Sequence, residues 1–491
     1  MRLWIGLHLP RLSLEVFCPH WSTDTCTAVL DHEAVLAASD DARRAGVRPG
    51  MRRGGVLMLA PQAQLHERAP GLETEALQAV AMAMLQFTPQ VAEGEEATLL
   101  MDVGASLRLF GGIRRLCALV RASLRTLGFT AVLGVAPTAR GAWLLARGGG
   151  GRAVKIEAMA RRLHRLPASL LPPARPYMTW LEGIGCLSVG DVARLPRPGL
   201  QRRCGRALLD VLDAALGHAA EMFHWIEAPA TFHAKLELFG RIENTDLLLA
   251  GACRLLQQMT GWLNARQMAV GRITLLLEHE RGRVARPPTP VEIVLAEAVW
   301  RDDHLVRLLK ERLAKLTLEA PVIGLVLEAP HLKPMAPLSD SLFPEPGGGV
   351  EDRQRLFELL VARLGPDNVL QAAPRADYRP EHANAWVPVQ QKLRAADIAA
   401  CLPPGGLPRP AWLLPKPIAL LVRDHRPFYC SPLRMVSAAE RIEAGWWSDT
   451  QTRDYFIAQG EDNAHYWVYR ERLPGGEEEV EPRWYLHGLF G

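Results

Sequence analysis

No run of about 18 or more uncharged apolar residues occurs in this 491-residue chain, which argues against a membrane-spanning helix. The opening segment, Met1-Arg2-Leu3-Trp4-Ile5-Gly6, is too short in apolar length for a signal peptide and reads instead as a first core strand. The eight cysteines are Cys18, Cys26, Cys117, Cys186, Cys204, Cys253, Cys401 and Cys430, and no two form a CxxC pair. Their scatter argues against a structural zinc site and, without an export signal, suggests free thiols in a reducing cytoplasm. Excess charge is also missing. A net charge of +4 does not announce a nucleic-acid partner.

What is present is ordinary for a globular protein: 48% apolar and 22% charged residues. The length is too great for one core and suggests about three to four domains. The positive charge is clustered locally, in Arg161, Arg162, His164 and Arg165, in Arg202, Arg203 and Arg206, and in Arg281, Arg283 and Arg286. Such clusters can neutralise phosphates, but for each one alone a solvated helix face or loop is the simpler account.

Periodicity divides the chain. Over residues 1–165, short apolar strands at Leu3–Leu9, Leu99–Val103 and Ala131–Val135 alternate with helical spacing at Glu73–Leu85 and Ile113–Leu127, an α/β layer. Ala38–Met51 looks like a short helical insertion, within an inserted region of about 20–75. Residues 166–228 are all-helical, and Leu181–Val192 carries glycines suited to a tight helix-to-helix turn able to offer N–H groups to a phosphate. Residues 229–333 read strand, helix, strand, strand, helix, strand, the split β-α-β arrangement. Residues 334–405 form a Pro- and Gly-rich linker with one apolar pair, Leu342-Phe343, and a short helix at Glu351–Leu364. Residues 406–491 read as a small β-rich module containing Trp446, Trp447, Trp467 and Trp484. The fold class expected is therefore multidomain α/β and α+β.

The order of these pieces resembles the Y-family translesion DNA polymerases: palm with inserted fingers, helical thumb, then a split β-α-β little finger. Ser39-Asp40-Asp41-Ala42-Arg43-Arg44-Ala45-Gly46-Val47 resembles the family's fingers motif, with Arg43 at the triphosphate-contacting arginine and Asp40 where the family has tyrosine. Gly134-Val135-Ala136-Pro137 resembles the family's palm turn, and the Asn-Lys that follows it there is Thr138-Ala139 here. The metal positions depart from the family. Leu100-Met101-Asp102-Val103 matches the later palm strand, which places the family's Asp-Glu pair at Ala97 and Thr98, and its first-strand aspartate at His8. Two-metal phosphoryl transfer needs carboxylates to offset the ions' charge. Imidazole, methyl and hydroxyl do not supply it, so no catalytic residue, metal or cofactor is expected. Glu93, Glu95 and Glu96 lie close by as substitutes, or simply as a solvated acidic turn.

This pattern resembles the ImuB-like subfamily, the catalytically inactive Y-family-like component of a bacterial mutagenesis cassette. Leu107–Gly112, Arg375–Glu381, Glu440–Trp447, Trp467–Arg470 and Trp484–Phe490 carry the likeness, which covers essentially the whole chain. The resemblance implies a DNA-binding adaptor in SOS-induced translesion synthesis, cytoplasmic and nucleoid-associated, with a sliding clamp, the RecA-like ImuA and an error-prone C-family polymerase as partners. A weakly active polymerase using Glu95 or Glu96 is the alternative. Arg43, Thr138, Arg140, Arg202, Arg203, Arg206, Arg272, Arg281 and Arg283 are the DNA-contact candidates. Ser339-Asp340-Ser341-Leu342-Phe343 resembles a clamp-binding peptide with serine in place of glutamine. Trp446, Trp447, Trp467 and Trp484 are candidates for partner contacts, with the module's own core as the competing use of most of them.

Overall fold

The computed structural model describes residues 2–19, 26–280, 286–335, 350–393, 408–444, 451–472 and 483–490. The chain divides into two compact units, 1–359 and 360–491.

The first unit opens with β1 (Trp4–His8) and α1 (Leu12–Glu15). An insertion follows: β2 (Thr27–Asp31), β3 (Ala34–Ala38), α2 (Asp40–Arg44), α3 (Arg53–Leu59) and β4 (Gln64–Glu67). The expected helical insertion is thus also a three-stranded sheet, β3-β2-β4, closed over Ala28, Leu30, Val35 and Val56. Its alternation was hidden because small alanines occupy the strand positions. The chain then forms α4 (Pro70–Met84), β5 (Val91–Gly94), β6 (Thr98–Asp102), α5 (Ile113–Leu127), β7 (Val132–Ala136), α6 (Ala139–Arg147), β8 (Gly151–Arg152) and α7 (Ile156–Leu163).

The palm sheet has the order β5-β6-β1-β7-β8, with β1 antiparallel to both neighbours. One face buries Ile5, Leu7, Leu99, Met101 and Leu133 under α4 and α5. The other buries Trp4, Leu100 and Ala136 under α6. Gly6 and Gly134 are register partners on that second face. A Cβ on either would lie 2.5 or 2.2 Å from the Ala142 carbonyl oxygen, so only glycine lets α6 lie this close to the sheet.

Residues 178–216 supply α8 (Met178–Gly183), α9 (Val189–Arg194), α10 (Arg197–Cys204) and α11 (Arg206–Leu216). Ser188 and Asp191 form a capping box at the start of α9, and Gly217 ends α11 in the left-handed region. Next come β9 (His233–Ile242), α12 (Thr245–Arg266), β10 (Met268–His279), β11 (Thr289–Val299), α13 (Asp302–Ala314) and β12 (Val322–Pro334). Their strands form the antiparallel sheet β11-β10-β12-β9, the split β-α-β order.

Helix α12 also reaches the palm. Gly261 sits against the Met82 carbonyl of α4, the Trp262 indole donates to the Pro229 carbonyl at 2.8 Å, and Gln257 accepts from Ser123 of α5 at 2.6 Å. Residues 350–364 form α14 (Val350–Leu364).

The second unit contains a hairpin of β13 (Leu370–Pro374) and β14 (Asn384–Pro388), in a stretch expected to be linker. Then come β15 (Trp412–Arg423), β16 (Arg426–Tyr429), β17 (Ser431–Pro432), β18 (Arg434–Met435), β19 (Glu440–Ala444), β20 (Gln451–Gln459), β21 (His465–Glu471) and β22 (Trp484–Leu489). They form one eight-stranded sheet, so the β-rich module is as expected. Tyr455, Trp467, Val468 and Leu486 make its core. The 375–383 loop is anchored on this sheet through Glu381, which pairs with Arg453 of β20. Among the described residues no helix is long and apolar enough to cross a membrane, and the seven described cysteines form no disulfide with one another.

Candidate functional site

The palm sheet places His8 at the end of β1 directly across from Thr98, the first residue of β6. Both face the α6 side, because their sequence neighbours Leu7 and Leu99 point into the opposite core. His8 Nδ1 lies 3.3 Å from Thr98 Oγ1. The Thr98 hydroxyl donates to the Glu96 carbonyl at 3.1 Å. The preceding turn is tight: Glu96 and Ala97 hold φ of 57° and 50°. Left-handed backbone costs a non-glycine residue roughly 1 kcal/mol, and here it turns the Glu96 side chain onto α6 and the segment beyond it.

Glu96 is held by two arginines. It pairs with Arg147 at the end of α6, and with Arg175 at 2.6 Å. Burial pushes its carboxyl up, but the hydrogen bond from Arg175 and the charges of both arginines hold it below the usual range. Glu95 pairs with Arg140 at 3.3 Å, and its carbonyl accepts from the Trp143 indole at 3.0 Å. Arg140 and Arg147 flank the Trp143 ring at 5.0 and 4.8 Å. Burial, and then the charge of Arg147, push the His8 imidazolium down, so His8 is neutral near pH 7.

This arrangement is a closed charge network. Its two nearby carboxylates answer three guanidinium groups, and its imidazole is neutral. Among the described residues no cluster of three or more His, Cys, Asp or Glu side chains is gathered to hold a metal ion. Asp102 is used structurally: its side chain accepts from Gly104 N–H at 3.0 Å, and its carbonyl accepts from the Thr88 hydroxyl at 2.6 Å. Glu93 is exposed on β5, outside the network.

Of the DNA-contact candidates, Arg140 is drawn into the network. Thr138 lies at the far end of α6. Its hydroxyl caps that helix by accepting from Gly141 N–H at 3.1 Å, and it donates to the Ala215 carbonyl of α11 at 2.8 Å. Both of its hydrogen-bonding roles are therefore filled from within. Arg43 lies in the last turn of α2, exposed, 3.9 Å from Asp40. Arg202 and Arg203 are exposed on α10, with Arg203 over the Trp180 ring at 5.2 Å, and Arg206 opens α11 beside Asp210 at 3.5 Å. Arg272 on β10 reaches Glu292 of β11 at 3.5 Å.

Arg281 and Arg283, the peptide Ser339–Phe343, and Trp446 and Trp447 lie outside the described residues. Trp467 is buried and stacks on Tyr455 at 4.1 Å, so it belongs to the module's core. Trp484 is partly buried against Phe456 at 5.4 Å.

Three residues of the network escape a reading of the sequence alone: Trp143, Arg147 and Arg175. Arg140, Trp143 and Arg147 stand three and four residues apart on one helix face, and that spacing is the signal that was there to be used. Nothing local marks Arg175, which reaches Glu96 from 79 residues away.

Comparison with known proteins agrees with the motifs. Residues 16–147 match the impB/mucB/samB family. Protein ImuB of Caulobacter vibrioides strain NA1000 / CB15N is 27% identical over 477 residues, covering 91% of this chain and 100% of that protein. Protein ImuB of strain ATCC 19089 / CIP 103742 / CB 15 matches equally. Among solved structures, an insertion ternary complex of Dbh DNA polymerase aligns at 17% identity over 67% of this chain and 98% of that one, with a TM-score of 0.37. DinB from Sulfolobus solfataricus aligns at 16% identity over 68% and 100%, with a TM-score of 0.36. The resemblance read from the fingers and tail motifs is therefore borne out: the chain is similar to ImuB over 91% of its length, and its residues 16–147 match the impB/mucB/samB family.

Proposed function

We propose that this protein is a non-catalytic, Y-family-polymerase-like adaptor in the tolerance of DNA damage. In this reading it binds primer–template DNA and links a sliding clamp, a RecA-like ImuA and an error-prone C-family polymerase during SOS-induced translesion synthesis in the cytoplasm, at the nucleoid. The observation that carries the reading is the pairing of Glu96 with Arg147 and Arg175 beside a neutral His8 and Thr98. A two-metal centre needs free carboxylates, and the acidic side chains nearest His8 are committed to arginine. That same commitment weighs against a slow polymerase built on Glu95 or Glu96.

The exposed Arg202, Arg203 and Arg206 on α10 and α11, and Arg272 on β10, would meet phosphates without reading sequence. Such binding weakens steeply with salt. Arg43, Arg281 and Arg283 extend the proposed DNA contact, Leu342-Phe343 is the proposed clamp anchor, and Trp446, Trp447 and Trp484 are the proposed partner contacts. The test is primer extension by the purified protein with Mg²⁺ and then Mn²⁺, with DNA binding measured in parallel. Binding without extension supports the adaptor. Extension that is abolished by Glu96→Gln overturns it in favour of the polymerase.

A further inference from the structure

On the face of the palm sheet opposite His8, four arginines surround one cleft of about 500 Å³. Arg114 and Arg121 come from α5, seven residues apart with Cys117 between them, so they project from one side of that helix. Arg152 comes from the edge strand β8, where it pairs with Val135. Arg162 comes from α7, and its guanidinium lies over Gly151, where a Cβ would stand 3.0 Å from Nη1. The floor is Leu133 and Val135 of β7 with Cys117, all buried.

The charge in this cleft is of one sign. All four arginines are exposed, no acidic residue lines the cleft, and no carboxylate among the described residues pairs with any of them. Arg121 and Arg152 both act on the Cys117 thiol, and no acidic group does. On the other face of the sheet and in the helices beyond it, Arg140, Arg147, Arg175, Arg194 and Arg197 each have a carboxylate. Four like charges around one concavity repel one another, and an anion spanning them relieves that repulsion.

We infer that this cleft binds a nucleoside polyphosphate. Guanidinium forks suit phosphate oxygens bidentately, and linked phosphates supply dense negative charge across several forks at once. The volume falls within the range of roughly 300–1,000 Å³ usual for small-molecule sites. The apolar floor suits the face of a base. With no carboxylate in the lining to hold a cation, the ligand is bound without a metal ion. The position, across the sheet from His8 and at its outer edge, separates this site from the degenerate polymerase centre, and the inference does not depend on the adaptor reading.

The experiment is calorimetric titration of the full chain with ATP in EDTA, repeated with inorganic tripolyphosphate. Saturable ATP binding is expected, and the Arg121→Gln/Arg152→Gln double variant should weaken it about tenfold or more. An Arg114→Gln/Arg162→Gln variant, altered on other elements, should do the same if the first pair fails to fold. Arg43→Ala should leave ATP affinity unchanged, and DNA affinity of both double variants should stay within about twofold. Three results each overturn the proposal: no saturable binding at millimolar ATP, ATP binding that survives both folded double variants, or loss of DNA affinity without any ATP binding. Tripolyphosphate binding as tightly as ATP would overturn the nucleoside assignment.

Discussion

His8 and Thr98 are register partners on adjacent palm strands, and their side chains meet at 3.3 Å, an imidazole nitrogen against a hydroxyl. Neither carries a negative charge at neutral pH. Adding one carboxylate here should therefore not create a metal site. In His8→Asp the new carboxylate faces Arg147, whose charge already acts on position 8. It would form an ion pair there, and Ala97 and Thr98 would still offer no carboxylate ligand. The expected outcome is no primer extension and no Mn²⁺ binding at millimolar metal, read by electron paramagnetic resonance. A bound Mn²⁺ signal that appears only in the variant would show that the network yields to a metal.

Glu96→Gln removes the group that answers Arg147 and Arg175. The Arg147 side chain is only 14% exposed, and its Nε has no hydrogen-bond partner. Breaking a well-buried pair from one side costs about 3–5 kcal/mol. Glu96 is itself 31% exposed, so water recovers part of that, and about 2 kcal/mol is expected. Hydrogen exchange of β6 and α6 amides should speed accordingly. Exchange unchanged from the parent would mean that Arg147 finds water or another carboxylate.

The sequence made some of this legible and hid the rest, for physical reasons. Period-two and helical patterns are local, so the order of strands and helices in the split β-α-β segment could be read directly from residues 229–333. That His8, Ala97 and Thr98 stand where the resemblance places acids could be read because a motif fixes positions along the chain. What surrounds those three positions was not visible. Glu96 meets Arg147 and Arg175 only once the 95–97 turn adopts left-handed backbone and α6 lies back along the sheet. The insertion's sheet was missed because Ala28, Ala34, Ala37 and Ala38 carry little hydrophobic contrast. The 370–388 hairpin was missed because Pro374 and Pro388 sit at its strand ends and resemble linker punctuation.

Gly261 tests the docking of α12 onto the palm. A Cβ there would lie 1.9 Å from the Met82 carbonyl oxygen, a backbone atom that cannot swing aside. Gly261→Ala should push α12 away from α4 and disturb the contact of Gln257 with Ser123. Overpacking of this kind costs about 3 kcal/mol. Faster hydrogen exchange in both α4 and α12 is expected, with β13 and β14 of the second unit unaffected. Parent-like exchange in both helices would show that they do not pack this closely in solution.

The β-rich module contains its own acid sensitivity. His487 is fully buried, with Nδ1 2.8 Å from the Tyr455 hydroxyl and Nε2 3.6 Å from the Glu381 carboxylate. Burial, and then the nearby Arg453, push its pKa down to about 4, against the opposing pull of Glu381. An unfolded histidine titrates near 6.5. Between those values the unfolded chain binds the proton and the folded one does not, so stability rises with pH across that window. The module is therefore fully stable above about pH 6.5 and loses stability as the pH falls toward 4. The Glu381 carboxyl is also held below its usual range, chiefly by Arg453 against burial, so its contribution is present above the ordinary carboxyl range and is lost as the pH falls below it. His487→Gln keeps a polar side chain but has no proton to gain, and should flatten the dependence between about pH 6.5 and 4.5. The measurement is hydrogen exchange of peptides from 451–472 and 483–490, corrected for the intrinsic pH dependence of exchange. A variant that keeps the parent's slope would place the proton elsewhere in the module.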